Sequence, residues 1–157
     1  MKSVLIAVGK TADKRFEAIT NEYASRIRHY MPFAVEIIPE LKNTKGLSQS
    51  EQKQREGELI SKSLQEGDYL VLLDEHGTER SSMDFAAWMQ QKMSAGPKRL
   101  VFVIGGPYGF SESIHRRANE EISLSRMTLS HQMVRMFFAE QLYRAMTILS
   151  GEPYHHE

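Results

Sequence analysis

Short apolar runs and helical stripes alternate along this chain. Ser3–Val8 is a nearly continuous apolar stretch, and Phe16, Ile19, Tyr23, Ile27 and Tyr30 then recur at helical spacing across Arg15–Tyr30. The pair predicts a first strand and a first helix. Met31-Pro32 ends that helix, because a residue before proline avoids the helical region. Phe33–Ile38 predicts a second strand and Leu41–Gln49 a polar loop. A charged helix capped by Ser50 then runs to Gln65, with Leu59, Ile60 and Leu64 as its large apolar residues. Gly57 inside it costs ~1 kcal/mol relative to alanine, which suggests a close packing contact there.

The second half repeats the alternation. Tyr69–Leu73 predicts a third strand that stops at Asp74-Glu75-His76-Gly77. Ser81 or Ser82 caps a helix carrying Phe85, Ala86, Trp88, Met89 and Met93, and Gly96-Pro97 ends it. Leu100–Ile104 is apolar throughout and runs into Gly105-Gly106-Pro107-Tyr108-Gly109. A short helix over 113–119, a brief strand Ile122–Leu124 and a loop Ser125–Ser130 lead to a long helix from His131 to Leu149. Strands alternating with helices predict an α/β fold, a mostly parallel sheet with helices on both faces, in a single domain over residues 1–157.

The last helix is apolar almost all round. Met133, Val134, Met136, Phe137, Phe138, Leu142, Tyr143, Met146 and Ile148 leave it nearly no polar face, so it must be covered on every side. One side is expected to pack on the sheet and the other on a second copy of the chain, giving a homodimer.

Composition narrows the classes. The chain has no cysteine, which excludes disulfides, zinc–thiolate sites and cysteine catalysis. The apolar start ends at Gly9-Lys10, too short for a membrane span, so a cytoplasmic protein is expected. Net charge is zero, yet residues 1–30 carry six Lys/Arg against three acids, leaving room for a local basic face.

The chemistry concentrates around the glycine turn. A buried strand, a glycine turn and a helix start are where open α/β sheets bind small molecules. Gly105-Gly106-Pro107-Tyr108-Gly109 lacks the glycine spacing of a dinucleotide fingerprint, and no phosphate-loop lysine pattern occurs. His131 and Arg135 lie one helical turn apart and are expected to share a face near that turn. Glu140 and Arg144 are expected to pair on the surface, and His29, His76 and His115 to be surface residues. No histidine or carboxylate group has metal-ligand spacing, so no metal is expected. At this level a nucleotide-binding enzyme and a non-catalytic module both stay open.

Five stretches in order carry a resemblance. They are Ala7-Val8-Gly9-Lys10, Ile104 through Gly109, Leu124-Ser125-Arg126-Met127-Thr128-Leu129 with His131 and Arg135 behind it, Glu140 through Ala145, and Gly151-Glu152-Pro153-Tyr154-His155. Together they resemble the RlmH family of ribosomal RNA large-subunit methyltransferases, of the SPOUT class, from end to end. The resemblance implies a deep trefoil knot in the C-terminal part, a homodimer, and S-adenosyl-L-methionine (AdoMet) as cofactor. It implies methylation of N3 of a pseudouridine in the helix 69 loop of 23S rRNA on the assembled 70S ribosome. Carried over by position, Leu73, Gly105 and Leu124, Ser125, Arg126, Met127, Thr128 and Leu129 hold the cofactor. His155, Tyr154, His131 and Arg135 are the catalytic candidates, with Arg135 alternatively a ligand of an RNA phosphate and the tail reaching toward the cofactor, that of the partner subunit included. Two departures stand out. His156 replaces the family's usual basic residue after Tyr-His, and Ser130 replaces the proline before His131.

Overall fold

The computed structural model describes residues 1–156. Its strands are β1 Lys2–Val8, β2 Phe33–Ile38, β3 Tyr69–Glu79, β4 Arg99–Ile104 and β5 Glu120–Ser123. They form one sheet in the order β2-β1-β4-β3-β5, and every pairing is parallel. The helices are α1 Lys14–Ile27, α2 Gln49–Ser63, α3 Ser82–Ala95, α4 Glu112–Arg117 and α5 Met133–Leu149.

Side-chain alternation along the strands divides the core in two. Leu5, Ala7, Leu100, Phe102 and Ile104 pack with α1, α3 and α5, whereas Val4, Ile6, Val8, Val101 and Val103 pack with α2 and α4. Both faces of the sheet are therefore covered, as the continuous apolar runs require. Each such side chain, fully buried, contributes ~1.5–3 kcal/mol.

Local chemistry sets the element ends. Asp13 caps α1 by accepting the Arg15 N–H, and the helix ends at Ile27, three residues before the expected Tyr30. Ser48, not Ser50, caps α2: its hydroxyl oxygen accepts the Glu51 N–H at 3.1 Å while its proton goes to the Glu51 carboxylate. Ser81 caps α3, and Gly96 ends it in the left-handed conformation at φ 65°. Gly57 does mark a close contact, since a Cβ there would lie 2.6 Å from Ser111 Oγ, the cap of α4.

Strand β3 departs most from expectation. It does not stop at Asp74 but continues to Glu79. Its register against β5 slips between Leu73 and Thr78, so Asp74–Gly77 bulge out of the ladder. Beyond the bulge, Thr78 and Glu79 pair with Ile122 and Ser123. Gly77 permits this return: a Cβ there would lie 2.6 Å from the Glu121 carbonyl carbon.

Helix α5 lies against α1, α3 and the sheet, with Phe138 and Phe102 rings 4.7 Å apart. Phe138, Ala139, Leu142, Ala145 and Met146 are buried within the chain. Met133 and Phe137 remain exposed, so its apolar circumference is only partly covered. The helix opens at Met133 rather than His131 because the Ser130 hydroxyl takes the Gln132 N–H at 3.2 Å, holding 131–132 in a turn.

Candidate functional site

Because all strands are parallel, their C-terminal ends share one edge, and the loops that follow them converge there. The bulge of β3 and the loops after β4 and β5 enclose a cleft of about 690 Å³ with the start of α5 as its fourth side. That volume suits a small organic ligand. Its apolar lining comes from Leu73, Ile104, Leu124, Leu129 and Val134.

The glycine turn forms one wall. Gly109 N–H bonds the Gly106 carbonyl at 3.1 Å, and Gly109 sits at φ 80°, a conformation that favours glycine. Behind the wall lies Glu56 of α2, a buried carboxylate that accepts the Gly106 N–H at 2.8 Å. Burial pushes the Glu56 carboxyl above its ordinary range, against the opposite pull of that N–H. A Cβ on Gly106 would meet the Glu56 carboxylate at 2.3 Å, so the glycine lets α2 hold the turn at contact distance.

The loop after β5 forms the facing wall. Leu124, Met127, Thr128 and Leu129 line the cleft, whereas Ser125 and Arg126 do not. Ser125 Oγ accepts the Met127 N–H at 3.0 Å and shapes the loop from within. Arg126 turns away, bonding the Glu79 carboxylate and the Glu75 carbonyl. Thr128 Oγ1 donates to Glu75 Oε2 at 3.1 Å. The β3 bulge and this loop are thus clamped together, and Ser125 and Arg126 support the wall without forming it.

The four catalytic candidates separate. His131 lines the cleft. Arg135 does not: it is 1% exposed and inside the core, so the expectation that it shares an open face with His131 is corrected. Its guanidinium bonds the His131 carbonyl, Thr11 Oγ1 and the Val8 carbonyl at 3.1, 3.0 and 2.9 Å, leaving it no face for an RNA phosphate. Tyr154 and His155 also lie away from the cleft of their own chain. The Tyr154 hydroxyl donates to Glu140 Oε1 at 2.9 Å, its ring stacks edge-on to Tyr143, and Arg144 sits over that ring. Burial, then the contacts with Tyr23 and Glu140, drive the Tyr154 hydroxyl well above its ordinary pKa. Arg144 also contacts His155 Nδ1 at 3.1 Å and pairs with Glu140 at 2.5 Å. Glu140 and Arg144 therefore anchor the tail and are not a loose surface pair.

Some lining residues were missed in the sequence. His76 and His115 are exposed, as expected, but they also line the cleft along with Asp74, Glu75, Tyr108 and Lys53. The bulge carries Asp74–His76 there, and no apolar periodicity announces a bulge. Asp74, His115 and Glu121 also bring one ligand atom each within 4.8 Å of one another at the cleft boundary. Three separate elements, β3 at its bulge, α4 and β5, supply them, so no sequence spacing could reveal the group. Exposed groups of this kind are common without an ion.

The knowledge of known proteins fits this geometry. A family model described as "Predicted SPOUT methyltransferase" matches residues 1–155, and the chain belongs to the SPOUT methyltransferase family. Proteins named ribosomal RNA large subunit methyltransferase H are similar over the full length of both chains. One from Parabacteroides distasonis is 60% identical, one from Bacteroides thetaiotaomicron 58% and one from Porphyromonas gingivalis 55%. Among the described residues, no helix is long and apolar enough to cross a membrane.

Proposed function

We propose that this protein is a cytoplasmic, AdoMet-dependent methyltransferase of large-subunit ribosomal RNA. Its acceptor is N3 of a pseudouridine in the helix 69 loop of 23S rRNA, and its substrate is the assembled 70S ribosome. One observation carries the reading: Leu73, Gly105, Leu124, Met127, Thr128 and Leu129, separated by up to 56 residues of chain, line a single cleft. The full-length similarity to proteins named ribosomal RNA large subunit methyltransferase H supports the substrate class.

The cleft's chemistry fits the cofactor. Leu73, Leu124 and Leu129 offer an apolar slot for adenine, and the bare backbone at Gly105-Gly106 allows close approach. A sulfonium needs no phosphate cradle, consistent with a turn that is not a phosphate loop. AdoMet, when bound, supplies an activated methyl group. The chain must then help an imide nitrogen lose its proton, by a base or by stabilising the anion. His131, which lines the cleft together with His76 and His115, is our candidate for that role.

Tyr154 and His155 act in the cleft of a second copy. Two observations support this: the tail is fixed on the α1–α5 side of its own chain, away from its own cleft, and Met133 and Phe137 leave an apolar part of α5 uncovered. The knot implied by the family belongs to the same proposal. The test is methylation of ribosomal particles with labelled AdoMet. Label in 23S rRNA of 70S particles and little in free 50S subunits is expected. Full methylation of the helix 69 pseudouridine in a strain lacking this protein would refute the assignment.

A further inference from the structure

The opening motif, Ala7-Val8-Gly9-Lys10, lines no part of the cleft. Its neighbourhood nevertheless meets the end of the cofactor loop through two side chains. Arg135 reaches from α5 to the Val8 carbonyl at the end of β1, to the buried Thr11 hydroxyl, and back to the carbonyl of His131. Gln132 accepts the Ala12 N–H at 2.8 Å and donates to the Lys10 carbonyl at 3.3 Å. Segment 8–12 and residues 132–135 are therefore stitched by four hydrogen bonds between residues more than 100 apart in the chain, and the bond from Arg135 to the His131 carbonyl carries the tie on to His131.

The stitch is costly to build, which argues for a purpose. Arg135 is wholly buried, and all three of its acceptors are neutral. A methionine of similar reach would fill this space without desolvating a charge. What the guanidinium adds is direction: three donors in a rigid plane fix three acceptors relative to one another. One of those acceptors belongs to His131, whose side chain lines the cleft and whose backbone closes the loop Leu124–Ser130.

We infer that Arg135 is a positioning residue that ties the exit of the cofactor loop, and His131 with it, to the C-terminal end of β1. This rests on the AdoMet reading of the cleft. The opening motif thereby acquires a role in the site it never touches: Val8 and Thr11 are the posts to which the end of the wall is fastened. Glu40 packs against Gly9, where a Cβ would lie 2.5 Å from its carboxylate, and its charge favours the Arg135 guanidinium against the cost of burial.

The experiment compares Arg135→Lys, Arg135→Met and Thr11→Val with wild type, and uses Ile27→Val as a core truncation remote from the cleft. AdoMet affinity is read by calorimetry, methyl transfer by single turnover at saturating AdoMet, and loop protection by hydrogen exchange over residues 124–131. Thr11→Val removes one charge-assisted bond and is expected to weaken AdoMet about tenfold. Lysine retains part of the contact set and should fall between wild type and methionine. Single-turnover rates at saturating AdoMet should fall as well, because the same tie places His131. Ile27→Val should lower Tm without moving AdoMet affinity. Unchanged affinity in both Arg135→Lys and Thr11→Val overturns the inference, as does an equal loss in Ile27→Val. If Arg135→Met does not fold, Thr11→Val decides. Should wild type bind no AdoMet, the cofactor reading fails, and hydrogen exchange alone judges the tie: faster exchange over 124–131 in Arg135→Lys supports it, and wild-type protection overturns it.

Discussion

Replacing Gly77 by alanine tests the seam on which the cleft rests. The added Cβ would lie 2.6 Å from the carbonyl carbon of Glu121 and 2.7 Å from its oxygen and from the nitrogen of Ile122. These are backbone atoms, so no side-chain rotation relieves the clash and the strands must part. Strand β5 is four residues long, sits at the sheet edge and pairs only with β3. Losing the Thr78–Ile122 and Glu79–Ser123 pairings removes about two backbone hydrogen bonds, each worth ~1 kcal/mol. Ile122, now 2% exposed, would also regain part of its water contact, a further ~1 kcal/mol. The expected cost is ~3 kcal/mol, which for a chain of this size lowers Tm by roughly 6–12 °C. Urea denaturation of Gly77→Ala against wild type measures it. AdoMet affinity should fall with it, since β5 leads directly into Leu124. A variant within ~0.5 kcal/mol of wild type, a margin ordinary for surface substitutions, and with unchanged affinity would show that the seam tolerates separation and refute the reasoning.

Three further outcomes are expected. Glu56 has a raised pKa, so the native state holds its proton longer than the unfolded chain does. Wild-type stability should fall as pH rises from the ordinary 4.5 through the raised value. Glu56→Gln keeps an acceptor for Gly106 and should lack that fall, so urea curves of the two proteins converge at low pH and separate above; parallel curves would contradict the burial argument. Asp68→Ala strands Arg99, 8% exposed and paired with Asp68 at 3.0 Å, and should cost ~3–5 kcal/mol in the same assay; a loss below ~1 kcal/mol would mean the pair is solvated. Truncation after Pro153 should reduce methyl transfer far more than AdoMet affinity, whereas equal losses would deny the tail a role in the partner's cleft.

The parallel pairing and both covered faces follow from features visible in sequence; the strand order does not. Runs such as Leu100–Ile104 are apolar on both sides of the pleat and had to lie in a parallel sheet. The glycine turn and Leu124–Leu129 announced the two walls, though only the family resemblance made them walls of one cleft. What stayed hidden depends on tertiary contact. The β3 bulge hangs on Gly77 meeting the backbone of Glu121, 44 residues away, so His76 looked like a loop residue. Arg135 has the periodicity of a helix surface, yet three neutral acceptors draw it inward. Ser125 and Arg126 belong to the cofactor segment by position, but Arg126 is drawn away by Glu79 and the Glu75 carbonyl. The tail was expected to reach toward the cofactor, that of the partner subunit included; Glu140, Arg144 and Tyr143 hold it away from the cleft of its own chain, a tertiary contact that no sequence pattern announces.

The central place of β4 has a consequence for synthesis. It pairs with β1 on one side and β3 on the other, yet both are made before it. Until residues 99–104 emerge, two apolar strands wait with open inner edges and no direct partner between them. The last third of the chain then fills the gap, supplies two walls of the cleft and lays α5 across the sheet. A chain stopped after α3 would therefore hold more than half the residues but lack both the glycine turn and the Leu124–Leu129 wall of the ligand site. Assembly is biased toward all or nothing, and such a fragment would present quality control with exposed strand edges in place of a partly working enzyme.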